Sequence, residues 1–218
     1  MTCTRVKVQH QESVVYMSGT PRKPGVRLFL ITGDPGSGKT TVASRVILDL
    51  KTRGYTVGGV LTREVRNHGE RMGFMLVDLS TEESARLATA DSKLGPKVGK
   101  YHVNLKTLAT LGARALRHAE LSSDVIACDE VGPMELFSPE FRKVVAETVL
   151  NSTKPCLCVV HKRLSDPLID EIKAHERSKL FEVTFENRDE IREVVSEEIL
   201  DFLGEGIAEV PKSGVVPN

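Results

Sequence analysis

The sequence predicts an α/β fold: a mostly parallel sheet with helices on both faces and one inserted β-hairpin. Three observations carry that prediction. Apolar β-type runs alternate with amphipathic helical runs for most of the 218 residues, as βαβ units require. Two runs, Val125 to Cys128 and Pro155 to Val160, are apolar without interruption, as central strands buried on both faces are. The alternation breaks once, from Glu64 to Arg71, between two strand-like runs, which marks a hairpin loop centred on Asn67-His68-Gly69-Glu70.

The elements follow in order. Val26 to Thr32 reads as the first strand. A Gly-rich turn leads to a helix that carries Val42, Ala43, Val46, Ile47 and Leu50 at helical spacing and ends at Gly54. Thr56 to Thr62 and Gly73 to Leu79 read as the strands on either side of the hairpin loop. Residues 80–103 are polar and interrupted by Gly and Pro, so they read as loop with one short strand near Tyr101 to Val103. Asn104 is a good N-cap for a helix that turns Leu105, Leu108, Ala109, Gly112, Ala115, Leu116 and Ala119 to one side. After the strand at Val125 to Cys128, Ser138-Pro139 opens a helix with Phe141, Val144, Val145 and Val149 inward. Asp166-Pro167 opens a short helix after the strand ending at Val160. Phe181 to Phe185 reads as the last strand, and Asn187 to Glu190 as the cap of a helix running to about Leu203.

One domain is expected over residues 26–204, with an N-terminal extension at 1–25 and a flexible C-terminal tail at 205–218. A composition of 40% hydrophobic and 28% charged residues can bury a core. The 30 basic and 30 acidic residues cancel, which argues against a general nucleic-acid binder, because such binding needs positive charge to displace counterions. The balance is uneven along the chain: net +4 over residues 1–27, +3 over 28–180 and −7 over 181–218. Four cysteines without CxxC spacing suggest neither a disulfide framework nor a zinc site, so a reducing cytoplasm is expected. No apolar run is long enough to span a bilayer, and the first 20 residues lack the arginine density of a transit peptide.

Gly33-Asp34-Pro35-Gly36-Ser37-Gly38-Lys39-Thr40 fits G-x-x-x-x-G-K-[ST] in full, with a strand before it and a helix after it. Glycines let the backbone curl until successive N–H groups converge on phosphate oxygens, and the helix N-terminus adds partial positive charge. In such a P-loop Lys39 bridges the β- and γ-phosphates, the Thr40 hydroxyl ligates Mg²⁺, and Thr41 supports an α-phosphate contact. A second pattern is Val125-Ile126-Ala127-Cys128-Asp129-Glu130-Val131-Gly132, a buried strand that delivers carboxylates where open α/β sheets bind ligands. Asp129 is the expected metal ligand. Glu130, pointing to the other side, is placed to polarise an attacking water, with Glu135 a weaker candidate for the same task.

Arg63, Arg66 and Arg71 on the hairpin, then Lys93, Lys97 and Lys100, then Lys162 and Arg163, are candidates for an extra cation on the γ-phosphate. Two further patterns read as structure. Asn187-Arg188-Asp189-Glu190 lies where GTPases carry N-K-x-D, but the fourth residue is Glu and the pairing is that of an N-cap. Cys156, Cys158 and His161 could suggest a metal, but the two alternating thiols on a buried strand read as small core residues.

Taken together, GDPGSGKTT (Gly33 to Thr41), GGVLTREVRNHGERMGF (Gly58 to Phe74), VGKYHV (Val98 to Val103) and DEVGPMELFSPEF (Asp129 to Phe141) resemble the thermostable nucleoside-triphosphatase family, which includes the vertebrate cancer-related nucleoside-triphosphatase. The resemblance covers about residues 26 to 203. It implies a RecA-like P-loop fold and slow Mg²⁺-dependent hydrolysis of ATP, GTP, CTP and UTP to diphosphate and phosphate, with Gly33 to Thr41 and Val125 to Gly132 as the nucleotide-binding stretches. The catalytic residues expected are Lys39 and Glu130, the metal ligands Thr40 and Asp129, and the active unit a monomer. Family members are also similar to nucleotide kinases, which leaves a P-loop kinase as an alternative. The basic head leaves a second, an RNA-associated regulator with hydrolysis as its timer.

Overall fold

A computed structural model describes residues 25–208; the expectations for residues 1–24 and 209–218 lie outside the described residues. Nine strands form one sheet in the order β5-β6-β4-β3-β2-β7-β8-β1-β9. Five of them, β2 (Val57–Asn67), β7 (Val125–Val131), β8 (Cys156–Val160), β1 (Leu28–Thr32) and β9 (Ser178–Glu182), are mutually parallel. β3 (Glu70–Asp78), β4 (Ser84–Thr89), β6 (Tyr101–Val103) and β5 (Lys97–Val98) extend the sheet antiparallel from β2. The P-loop strand β1 and the carboxylate strand β7 are therefore separated by β8.

Alternation within β1 shows why helices are needed on both faces. Leu28 and Leu30 enter one core with Ile126, Cys128, Leu116 and Phe141. Phe29 and Ile31 enter the other with Ala127, Val159, Val46 and Val195. The first core is covered by α2 (Leu105–Thr107), α3 (Ala113–Ser122), α4 (Pro139–Val145) and α5 (Pro167–Ala174). The second is covered by α1 (Lys39–Thr52) and α6 (Arg188–Ala208). Arg45 pairs with Asp189 at 2.6 Å and Arg53 with Glu197 at 2.9 Å, so α1 and α6 run side by side in the same direction, away from the P-loop. Arg27 is fully buried beneath β1; its Nη1 donates to the Val149 carbonyl at 2.9 Å and its Nη2 to that of Leu150.

Several expectations are corrected. Residues 64–71 are not a loop: β2 and β3 continue through Asn67 and from Glu70, leaving His68 and Gly69 as a two-residue turn with positive φ at both, the conformation that a tight hairpin demands. Residues 80–103 hold three strands, because β4 buries Leu87 and Ala88 beside β3 and needs only six residues to do so. The helix opening at Asn104 passes through a π-helical turn at Leu108–Gly112. That wide turn rotates the buried face, so Leu111 and Ala113 go inward while Leu105 stays exposed. The last helix reaches Ala208, into the segment read as tail. The last strand ends at Glu182, three residues earlier than expected: the Val183 N–H still donates to the Thr32 carbonyl, and the chain then turns where the Thr184 N–H donates to Asn187 Oδ1.

Candidate active site

At the C-terminal ends of the parallel strands lies a cleft of about 820 Å³. Its floor is the P-loop. Gly33 has φ +153, and a Cβ there would stand 2.4 Å from the Val183 carbonyl oxygen and 2.7 Å from Ser37 Oγ, so only glycine lets the loop lie against its neighbours. Gly38, at φ +100, begins α1 without any side-chain acceptor for the first-turn N–H groups. Those amides and the helix dipole are the anion-binding elements that a helix N-terminus supplies. Lys39 Nζ donates to the Gly33 and Asp34 carbonyls, each at 3.2 Å, and so rests on neutral acceptors that an anion can outcompete.

The cleft brings together residues far apart in the chain. Gly33, Asp34, Pro35, Gly36, Gly38, Lys39, Thr40 and Thr41 line it, as do Asp129 and Glu130. Val125, Ile126, Ala127 and Cys128 do not: they are buried in β7 below it, and of the Val125 to Gly132 stretch only the two carboxylates reach the opening. The expectation that Glu130 points away from Asp129 is corrected. The pairing of β7 with β8 shifts register between Asp129 and Val131, and such an irregularity re-aims side chains so that both carboxyl groups face the same cavity.

Asp129 Oδ1 accepts from the Thr40 hydroxyl at 3.3 Å, while its buried Oδ2 has no partner among the described residues. Burial first, and repulsion from Glu130 second, push the Asp129 carboxyl up to about 7. The Glu130 carboxyl is raised too, mainly by burial, against the opposing pull of Lys39 and His161. Glu135 is pushed up to about 8 by burial and then by Glu130. Gly132 makes room for this arrangement: a Cβ there would lie 2.4 Å from Glu130 Oε1.

Of the expected cations, Arg66, Arg71, Lys162 and Arg163 line the cleft; Arg63, Lys93, Lys97 and Lys100 do not, and Lys100 is taken by Glu70 at 2.7 Å. Glu64 holds Arg66 at 2.6 Å and Arg71 at 2.5 Å. Lys162 Nζ sits 3.0 Å from Asp34 and 2.6 Å from Glu182, and Arg163 sits 2.9 Å from Asp34. The Lys162 hydrogen bond holds the Asp34 carboxyl below the usual carboxylate range, so the negative charge of the P-loop is already countered. Thr62, Glu64, Phe74, Pro133, Met134 and His161 also line the cleft without having been singled out as site residues. Thr62 and Glu64 could have been found from Arg66 by the period of two, since alternate residues of β2 share a face.

Two structural patterns separate here. Cys128, Cys156 and Cys158 are fully buried, and burial pushes their thiols up, Cys156 to about 12. Asn187 does not cap α6 with its side chain. Its Oδ1 accepts from the Thr184 N–H at 2.8 Å and its Nδ2 donates to the Glu182 carbonyl at 3.0 Å, because the chain turns back on β9 before the helix starts.

A magnesium site fits these residues. Magnesium takes one or two protein oxygens and completes its shell with water and substrate phosphates. An unpartnered buried Asp129 oxygen beside the Thr40 hydroxyl is such a donor pair, and no group of three or more His, Cys, Asp or Glu side chains forms a protein-only cage among the described residues. Among those residues no helix is long and apolar enough to cross a membrane.

Comparisons with known proteins agree with this fold. A family model described as NTPase matches residues 28–196. The nucleoside-triphosphatase THEP1 of Thermofilum pendens is 41% identical over 176 residues, which cover 80% of this chain and 96% of that protein. THEP1 of Methanocaldococcus jannaschii is 40% identical over 176 residues, with 80% and 98% covered. The crystal structure of THEP1 from the hyperthermophile Aquifex aeolicus aligns with a TM-score of 0.68 at 31% identity, covering 81% of this chain and 98% of that one. The solution structure of a human cancer-related nucleoside triphosphatase aligns with a TM-score of 0.65 at 32% identity, covering 85% and 100%.

Proposed function

We propose, from the premise that this chain belongs to the NTPase family and is a nucleoside-triphosphatase, that it hydrolyses ATP, GTP, CTP and UTP to diphosphate and phosphate with Mg²⁺. The observation that carries the reading is the placement of Lys39, the Thr40–Asp129 pair and Glu130 around one cleft. A monomeric, cytoplasmic enzyme is proposed with it.

The triphosphate lies on the first-turn amides of α1, and Lys39 leaves the Gly33 and Asp34 carbonyls for the β- and γ-phosphate oxygens. Thr40 and Asp129 would hold Mg²⁺, which would supply positive charge against the negative charge that develops on the phosphoryl group. Lys162 and Arg163 keep Asp34 from repelling the phosphates. Arg71 and Arg66, paired to Glu64 on the hairpin, form the positive wall opposite the P-loop. Glu130 orients the attacking water in line with the scissile bond. Its burial makes the carboxylate a stronger hydrogen-bond acceptor than an exposed one, which suits holding a water by its proton.

Phosphate release from each of the four nucleotides, without added acceptor, tests the reading. Wild type is expected to release phosphate from all four, Lys39→Ala from none at a comparable rate, and Glu130→Gln to bind nucleotide while turning over at least 100-fold more slowly, roughly the loss that follows removal of a group acting in the transition state. No release by wild type, or indistinguishable rates for Lys39→Ala, overturns it.

A further inference from the structure

We propose that Phe185 and Arg188 form a stacking platform for the substrate's nucleobase, on the β9 side of the P-loop and away from the carboxylates of β7. The platform rests on the nucleotide reading above and extends it from the triphosphate to the base. After β9 ends at Glu182 the chain runs against the P-loop. The Val183 N–H donates to the Thr32 carbonyl at 2.7 Å. The Val183 carbonyl oxygen closes against Gly33, and a Cβ on Gly38 would stand 3.6 Å from Arg188 Cδ. The segment therefore touches the phosphate loop at both of its bracketing glycines, and it delivers Phe185 and Arg188 beside the start of α1.

These two side chains are unusual in what they leave free. Phe185 is 66% exposed although aromatic, and the Arg188 guanidinium carbon lies 4.3 Å from the ring centroid. Arg188 has no ion pair among the described residues; the neighbouring Asp189 is held by Arg45 at 2.6 Å. A flat cation on a flat ring, next to the helix end that takes the triphosphate, is a surface on which a planar heterocycle can stack. Stacking uses the π-face that purines and pyrimidines share, so it binds every base without reading its edge. The one amide nearby is not free to read an edge: both polar atoms of Asn187 are engaged with the backbone at Thr184 and Glu182. The platform thus supplies affinity without selectivity, as a four-nucleotide substrate range requires.

The alternative is a surface cation–π pair with no ligand, whose loss would leave nucleotide affinity unchanged. Calorimetric titration of the full chain, in Mg²⁺, with the β,γ-imido analogues of ATP and CTP and with inorganic tripolyphosphate decides between them. Phe185→Ala is expected to weaken both imidonucleotides by roughly 5- to 150-fold, the range of one lost base–aromatic stack, and to leave tripolyphosphate affinity unchanged. Phe185→Tyr is expected to restore nucleotide affinity. Imidonucleotide binding equal to wild type in Phe185→Ala overturns the platform. So does equal weakening of tripolyphosphate, which would make Phe185 a prop of the P-loop. If wild type binds tripolyphosphate as tightly as the imidonucleotides, the platform falls and the P-loop reading stands; if it binds neither, both fall.

Discussion

The Thr40 hydroxyl donates to Asp129 Oδ1 across 3.3 Å, tying the second residue of α1 to the end of β7 over 89 residues of chain. The contact holds a carboxylate whose other oxygen is buried and has no partner among the described residues.

Asp129→Asn is expected to act in opposite directions on activity and stability. Loss of the charged donor should lower turnover by about 100-fold or more, several kcal/mol of transition-state stabilisation. The same change removes a desolvated charge, so above about pH 7 the variant should melt higher than wild type in the absence of metal. Phosphate release and thermal melts on one preparation check both signs.

Gly132→Ala should behave as a lesion of Glu130. The added Cβ would meet Glu130 Oε1 at 2.4 Å, and the carboxyl end of a side chain moves more easily than backbone. Melting temperature should change little and nucleotide affinity not at all, while kcat falls by roughly 10- to 100-fold, because water is then held off line. A variant with wild-type kcat would show that the position of Glu130 does not matter.

Lys162→Ala should raise KM for each nucleotide by roughly fivefold, by exposing the Asp34 charge to the phosphates. Asp34→Asn in the same chain should restore most of the loss. A double-mutant cycle on KM checks this; strictly additive effects would mean that Lys162 acts on the substrate rather than through Asp34.

Glu135→Gln should stabilise the fold in a pH-dependent way. The carboxyl titrates near 4.5 when unfolded and at about 8 when folded, so between those values the folded state holds a proton that the unfolded state has released. Unfolding free energy therefore falls as pH rises through that window, and the variant escapes the fall. Denaturant midpoints should coincide near the lower end and diverge toward the upper, in favour of the variant, by on the order of a few kcal/mol.

Much of this site was legible because its chemistry is contiguous. Gly33 to Thr41 carry a spacing that a single loop must satisfy, and the apolar run before Asp129 announces a central strand. The pairing of Asp34 with Lys162 was not legible, since it joins positions 128 residues apart and depends on β8 lying beside β1. Phe185 was misplaced for a different reason: an apolar run does not show where pairing stops, and here the chain bends to pack on Gly33. β4 and β5 were missed, although β6 was expected, because short antiparallel strands cut by Gly95 and Gly99 lack the length that makes periodicity visible. Gly132 looked like part of a nucleotide-binding stretch, and only the position of Glu130 explains why it bears no side chain.

The side-by-side course of α1 and α6 gives the molecule two poles. The chain enters β1 at the pole opposite the P-loop, five residues or about 16 Å away, and α6 carries it back toward that same pole over 21 residues, about 30 Å. A bead or fluorophore attached at the exposed Asp201, late in α6, would thus stand toward the pole away from the P-loop and leave the cleft open to the bath.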